Sequence, residues 1–219
     1  MLKIGHRGAK GHAPENTIAS FQKAFDLGCH AIEFDVQLCQ SGEVVVIHDY
    51  TINRTTTATG FVKNIPFVEL QQYNIPTLEQ VLDFVDNRFM VNIELKSNDC
   101  VEKVIKIVHF YISTKKWTSD NFLISSFNWP DLMVVSASMP KIKTAVLTEK
   151  SFANALHFAK KINAFAVHAH HALITPQAIY QAHQSDIKIC AFTVNDPEII
   201  MQLKQLSIDG IISDFPDRI

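Results

Sequence analysis

Five short apolar runs decide the fold: residues 121–127 (NFLISSF), 143–147 (KTAVL), 164–168 (AFAVH), 187–194 (IKICAFTV) and 210–213 (GIIS). They recur every twenty-odd residues, and amphipathic segments with helix-start signals fill the gaps between them. The starts are Trp129-Pro130-Asp131, Ser151 before Phe152, Thr175-Pro176 and Asn195-Asp196-Pro197-Glu198. A Ser, Thr, Asn or Asp cap satisfies free backbone N–H groups, and proline in the first turn has none to lose. Strands joined by helices pair in parallel, so the second half reads as βα units.

The first half follows the same plan with one interruption. A strand over 2–5 leads to a helix over about 16–28, with Ile18, Phe21, Ala24 and Phe25 on one face, and then to a strand over 31–36. Gln40-Ser41-Gly42 then turns the chain, and 44–48 (VVVIH) runs back as a hairpin arm, because so short a link cannot cross over to a parallel strand. Residues 49–76 show little pattern beyond one helical turn near 67–70, and runs of that kind are usually lids or binding loops. A helix over 78–86, a strand over 90–95 and a helix over 101–112 complete the set. Without the hairpin arm there are eight parallel strands and seven helices, which predicts a closed (β/α)8 TIM barrel with a hairpin and a short insertion after strand 2. An open doubly wound sheet would want GxGxxG after a strand, and none is present.

With 219 residues and 47% hydrophobic content, one domain over 1–219 is expected, and 19% charged residues with 7 Gly exclude disordered and collagen-like chains. A formal charge of −2 and no basic stripe argue against a nucleic-acid partner. No apolar run approaches the ~20 residues that span a bilayer, and Leu2-Lys3-Ile4-Gly5-His6 lacks a signal-peptide core, so a cytoplasmic location is expected. Cys29, Cys39, Cys100 and Cys190 share no CxxC spacing and read as reduced packing residues. A homodimer is neither required nor excluded.

A barrel places its site at the carboxyl ends of its strands. There, Glu33 and Asp35 point to one face by strand alternation, and Glu94 stands on the neighbouring strand. Three carboxylates meeting in a partly buried mouth repel one another, and oxygen-only donors suit one hard cation, Mg²⁺ or Ca²⁺. His6 ends strand 1, and the hairpin returns His48 alongside Glu33, so the two imidazoles can serve as general acid and base. Arg7 and Lys96 supply positive charge for a phosphodiester.

At these residues the chain resembles the glycerophosphodiester phosphodiesterase family. The resemblance runs from His6-Arg7-Gly8 through Pro14-Glu15-Asn16-Thr17, Glu33-Phe34-Asp35-Val36, His48-Asp49, Asn53-Arg54-Thr55-Thr56, Ile75-Pro76-Thr77-Leu78 and Ile93-Glu94-Leu95-Lys96 to 209–216 (DGIISDFP). It implies a phospholipase C-type barrel, a divalent metal on Glu33, Asp35 and Glu94, His6 and His48 as acid/base pair, and Arg7 and Lys96 at the phosphate. The implied reaction releases glycerol 3-phosphate and an alcohol from a small-molecule glycerophosphodiester, with the substrate's own glycerol hydroxyl as first nucleophile. Two departures stand out. The family's longer insertion between the His-Asp and Ile-Pro-Thr-Leu motifs is trimmed here, and its Trp-Thr-Val-Asn reads Phe192-Thr193-Val194-Asn195, which keeps an aromatic wall without an indole donor. Phe127 and Phe192 are expected to line the glycerol pocket.

Two other readings compete. His168-Ala169-His170 at a strand end could hold zinc in an amidohydrolase-like barrel, although such barrels carry that pair on the first strand. A phosphodiester-binding barrel without turnover would have no need of both the histidine and the carboxylate sets.

Overall fold

The computed structural model describes residues 1–219. Eight parallel strands close on themselves: β1 (Leu2–His6), β2 (Ala31–Leu38), β4 (Met90–Leu95), β5 (Phe122–Ser126), β6 (Lys143–Thr148), β7 (Ala166–His170), β8 (Lys188–Phe192) and β9 (Gly210–Ser213). Closure is made by β1, which pairs with β2 at Ile4–Ala31 and with β9 at Ile4–Ile212. The hairpin arm β3 (Val44–Val46) runs antiparallel to the far end of β2, in register Val36–Val46. The expected TIM barrel is therefore present, each strand within two residues of its reading.

Seven helices cover it: α1 (Ile18–Asp26), α3 (Leu78–Val85), α4 (Val101–Thr114), α5 (Trp129–Ser138), α6 (Phe152–Lys161), α7 (Pro176–His183) and α8 (Pro197–Gln205), with the single turn α2 (Phe67–Leu70) in the insertion. Their starts are capped as the side chains dictate. Thr17, Thr77, Ser151, Thr175 and Asp196 each accept a hydrogen bond from a first-turn N–H, and Thr77 with Gln80 forms a reciprocal capping box. The main core lies between the barrel's outer face and the helices. Phe21 of α1, for example, packs on Phe34 of β2 with ring centroids 5.5 Å apart.

Residues 49–76 are more ordered than their sequence suggests. Three short turns (Val62–Asn64, α2, Gln71–Tyr73) fold over β3, and Cys39, Val45, Ile47, Ile52, Val62, Leu70 and Ile75 form a small core of their own. Strand alternation on β3 explains the arrangement, since Val44 and Val46 face the main core while Val45 and Ile47 face this second one. The apolar residues beneath the loop are spaced irregularly, so no periodicity announces them. The rest of the barrel mouth is built on the strand ends.

Candidate active site

Strand β1 ends in a turn too tight for most residues. A Cβ on Gly5 would lie 2.5 Å from the Gly8 carbonyl oxygen, and one on Gly8 (φ +82°) would lie 2.3 Å from Ser20 Oγ. Arg7 between them holds φ 50°, a left-handed conformation costly for a non-glycine residue. The fold keeps it because Ser20 Oγ donates to the Arg7 carbonyl and the Arg7 N–H donates to Glu33 Oε2 at 2.9 Å. This turn aims His6 and Arg7 at the acids of β2.

Glu33, Asp35 and Glu94 converge as the sequence suggests. One carboxylate oxygen from each lies within 4.8 Å of the others, and all three are buried. Burial, then Asp35 and Glu94, drives Glu33 far above the usual carboxylate range, and burial together with Asp35 pushes Glu94 up to about 7. Arg7 Nε stands 3.3 Å from Asp35, and Lys96 Nζ stands 2.8 Å from Glu94 and 3.8 Å from Asp35. Burial works against the Lys96 ammonium, but Glu94 and Asp35 outweigh it and raise its pKa. Two cations face three acids, and the buried Glu33 Oε1 has no hydrogen-bond partner. An orphaned carboxylate oxygen beside two others is the donor set of a hard divalent ion, so these residues can hold one metal.

Both histidines are oriented by carboxylates. His6 Nδ1 lies 2.5 Å from Asp214 Oδ1, and its Nε2 lies 4.0 Å from Glu33. His48 Nδ1 lies 2.6 Å from Asp49 Oδ1. Asp214 and Asp49 are held below the usual carboxylate range, Asp214 by His6 and Asn195 against its burial, Asp49 first by Arg54 and then by His48. Ionised acids must accept, so each imidazole donates from Nδ1 and presents Nε2. Burial lowers the pKa of His48, opposed by Asp35. One expectation needs correction here. The ladder stops at Val36–Val46, with one further bond from the Ile47 N–H to Asp35 O, so His48 lies beyond it near Asp35 rather than alongside Glu33. Gln37 bends the chain away by donating to the carbonyls of Ile47, His48 and Asp49.

Phe127 and Phe192 meet at the mouth in a T-shaped contact, centroids 5.7 Å apart, and Lys96 Nζ sits 5.9 Å from the Phe127 ring centre. His168 and His170 do not assemble a metal site. His168 is buried in the barrel wall with neither ring nitrogen partnered, and burial pushes it down to about 4. His170 Nδ1 accepts from the Ala172 N–H, and the three carboxylates are the one group of three or more close ligand atoms.

Glu15, Asp49, Arg54, Asn195 and Asp214 stand in the quoted motifs without a role of their own, and the structure gives each one a place in the site. The role of Asp214 could have been found, because a closed barrel sets β9 beside β1 and Gly5 pairs with Ser213, which places Asp214 next to His6. Asn195 Nδ2 donates to Asp214 Oδ2 and thereby fixes that carboxylate. A surface cavity of about 1120 Å³ is lined by Glu15, Arg54, Tyr73 and Gln80 among others, but by none of the three acids.

Comparison with known proteins gives the family and the fold. A family model described as the glycerophosphoryl diester phosphodiesterase family matches residues 6–218. Glycerophosphodiester phosphodiesterases of Bacillus altitudinis and Caldanaerobacter subterraneus are 38% and 34% identical, and each alignment covers the whole chain and 96% of the relative. Among solved structures, an Oleispira antarctica phosphodiesterase in complex with the product sn-glycerol-3-phosphate superposes with TM-score 0.88 at 28% identity, over 98% of this chain and 93% of the other. The glycerophosphodiester phosphodiesterase of Thermotoga maritima gives 0.85 at 27%, over 99% and 96%. The chain belongs to the glycerophosphoryl diester phosphodiesterase family, a family of phosphodiester hydrolases.

Proposed function

We propose that this chain, acting as one catalytic unit over 1–219, hydrolyses small glycerophosphodiesters to sn-glycerol 3-phosphate and an alcohol. The observation that carries the reading is the meeting of two carboxylate-paired imidazoles with a buried three-acid cluster at one barrel mouth. Glu33, Asp35 and Glu94 would hold one Mg²⁺ or Ca²⁺, which supplies Lewis-acid polarisation of the phosphate when bound. Arg7 and Lys96 bind the phosphate oxygens and offset the charge that grows on them.

His48, whose basicity burial lowers, takes the proton of the glycerol hydroxyl next to the phosphate as that oxygen attacks phosphorus. The imidazolium form of His6, its Nδ1–H held by Asp214, gives its Nε2 proton to the departing alcohol oxygen. The product is a cyclic phosphate, and the roles reverse as water adds to phosphorus and the ring opens. A substrate nucleophile suits this site. Ser125 is fully buried, Ser126 Oγ is bonded to the Leu95 carbonyl, and the four thiols are buried. Phe127 and Phe192 give the glycerol carbons an apolar wall. Unbridged cysteines suit a cytoplasmic setting, and no helix is long and apolar enough to cross a membrane. The short insertion over 49–76 would leave the alcohol side of the site less covered.

The test is release of glycerol 3-phosphate from glycerophosphocholine and glycerophosphoethanolamine by the purified protein, with Mg²⁺, with Ca²⁺ and with EDTA. Turnover with either cation and none with EDTA is expected. No product from either diester, or activity restored by Zn²⁺ alone, would overturn the reading.

A further inference from the structure

Resting on the acid/base reading of His48, we infer that Arg54 is a positioning residue that locks the phosphate-side Arg7 and the imidazole of His48 into one rigid unit. A continuous ionic path runs between them. Arg7 Nη1 donates to Glu15 Oε1 at 2.7 Å. Glu15 accepts from both terminal nitrogens of Arg54, at 2.7 and 2.8 Å. The same guanidinium turns its other edge to Asp49, from Nε at 2.7 Å and from Nη2 at 3.1 Å, and Asp49 meets His48 Nδ1 at 2.6 Å. At the Arg7 end the path reaches Asp35, 3.3 Å from Arg7 Nε.

Four hydrogen bonds from one planar fork to two carboxylates are within reach of arginine alone, since a lysine ammonium has neither the span nor the fixed geometry. Arg54 also sits where its own backbone is fixed. Ile52 before it is buried in the insertion's small core, and the Thr56 N–H and hydroxyl after it both bond back to the Ile52 carbonyl. Stability is a poor explanation for such a residue, because the Arg54 side chain is 47% exposed and exposed ion pairs contribute little to folding. The Glu15 side chain at the centre is only 8% exposed, so the path is anchored from inside. Position is what the network fixes. Without the guanidinium, Glu15 and Asp49 lose their shared partner, and Arg7 and His48 can drift independently.

The two arms separate kinetically. Arg7 faces the phosphate, so loosening it weakens substrate binding, whereas His48 moves a proton, so loosening it slows turnover. With glycerophosphocholine and Mg²⁺, Asp49→Asn should lower kcat about tenfold with KM within about twofold, because displacements near 1 Å cost factors of ten to a hundred. Glu15→Gln should chiefly raise KM, and Arg54→Gln should do both. Arg54→Lys should fail to restore either, and the Arg54→Gln/Asp49→Asn double variant should have a kcat no lower than the slower single. Wild-type kcat and KM in Arg54→Gln, multiplicative losses in the double variant, or an activity loss matched by a lost folded fraction would each overturn the assignment. His48→Ala distinguishes the underlying reading. If it retains the wild-type rate, the acid/base role falls and this inference with it; if it is inactive while Arg54→Gln is wild-type, only the inference falls.

Discussion

The barrel mouth is divided in two. On β1, β2, β4 and β9 the strand ends bring His6, Glu33, Asp35, Glu94 and Asp214 together, with Arg7 and Lys96 just beyond. On β5 to β8 the corresponding ends carry Ser125, Ser126, Leu147, His168, His170 and Phe192, and the charged pair just past them, Glu149 and Lys150 after β6, is exposed. The charged side works by mutual dependence, because each buried acid is tolerable only beside a cation or a donor from the next strand. The other side works by shape, through rings and small side chains that need no counterion. Bond-making should therefore fail when the first side is altered, and fit alone should suffer when the second is.

The largest break in this division comes from the imidazoles. His6→Ala and His48→Ala should each lower kcat by about 10²–10⁴-fold while metal affinity, measured by calorimetry, stays near wild type. A wild-type rate in either would remove the acid/base assignment.

Next in size is an effect on the uncharged side. His168 is buried with a pKa near 4 against 6.5 for an exposed imidazole, so the unfolded chain binds its proton first as pH falls. Stability tied to neutral His168 is fully present above pH 6.5 and is lost as pH drops toward 4, by on the order of 3 kcal/mol. Urea unfolding of wild type and His168→Leu across that range should diverge in the variant's favour. Parallel curves would refute the burial argument.

A smaller change returns to the acids. Glu94→Gln removes one anionic donor and should weaken Mg²⁺ binding at least about tenfold, with the apo protein no less stable, since Glu94 is crowded by Asp35. Unchanged metal affinity would place the ion elsewhere. The mildest prediction concerns the wall. Phe127→Ala should raise KM roughly fivefold, the equivalent of about 1 kcal/mol of lost aromatic contact, with kcat nearly unaltered. A large fall in kcat instead would show that the two sides are not separable, and that Lys96, 5.9 Å from that ring, depends on it.

The division also explains what the sequence disclosed. Glu33 and Asp35 share a face through strand alternation, and Glu94 follows on the next strand, so local rules suffice to gather them. The barrel was legible for the same reason: apolar runs, caps and prolines repeat in order, and Thr17, Thr77, Ser151, Thr175 and Asp196 cap as their chemistry requires. Asp214 was named at its strand end without a partner, because His6 lies 208 positions away and the pairing follows only from closure of the barrel. Arg54 stood in a quoted motif, but its role was hidden because nothing local marks a surface arginine that joins two acids from different loops. The position of His48 was misread by a small amount, since hairpin pairing was extended past the point where Gln37 draws the strand away.

The small core under residues 49–76 has a consequence for how the protein fails on heating. Its seven buried side chains form a cluster separate from the 49-residue main core, and the segment they support begins at Asp49, directly after His48. A patch that small opens at lower free energy than the barrel. Warming should accordingly silence the protein before it melts: loss of turnover should precede loss of barrel ellipticity, and cooling from that interval should restore both. On that expectation, the working temperature follows seven side chains in the hairpin and its insertion rather than the eight strands of the barrel.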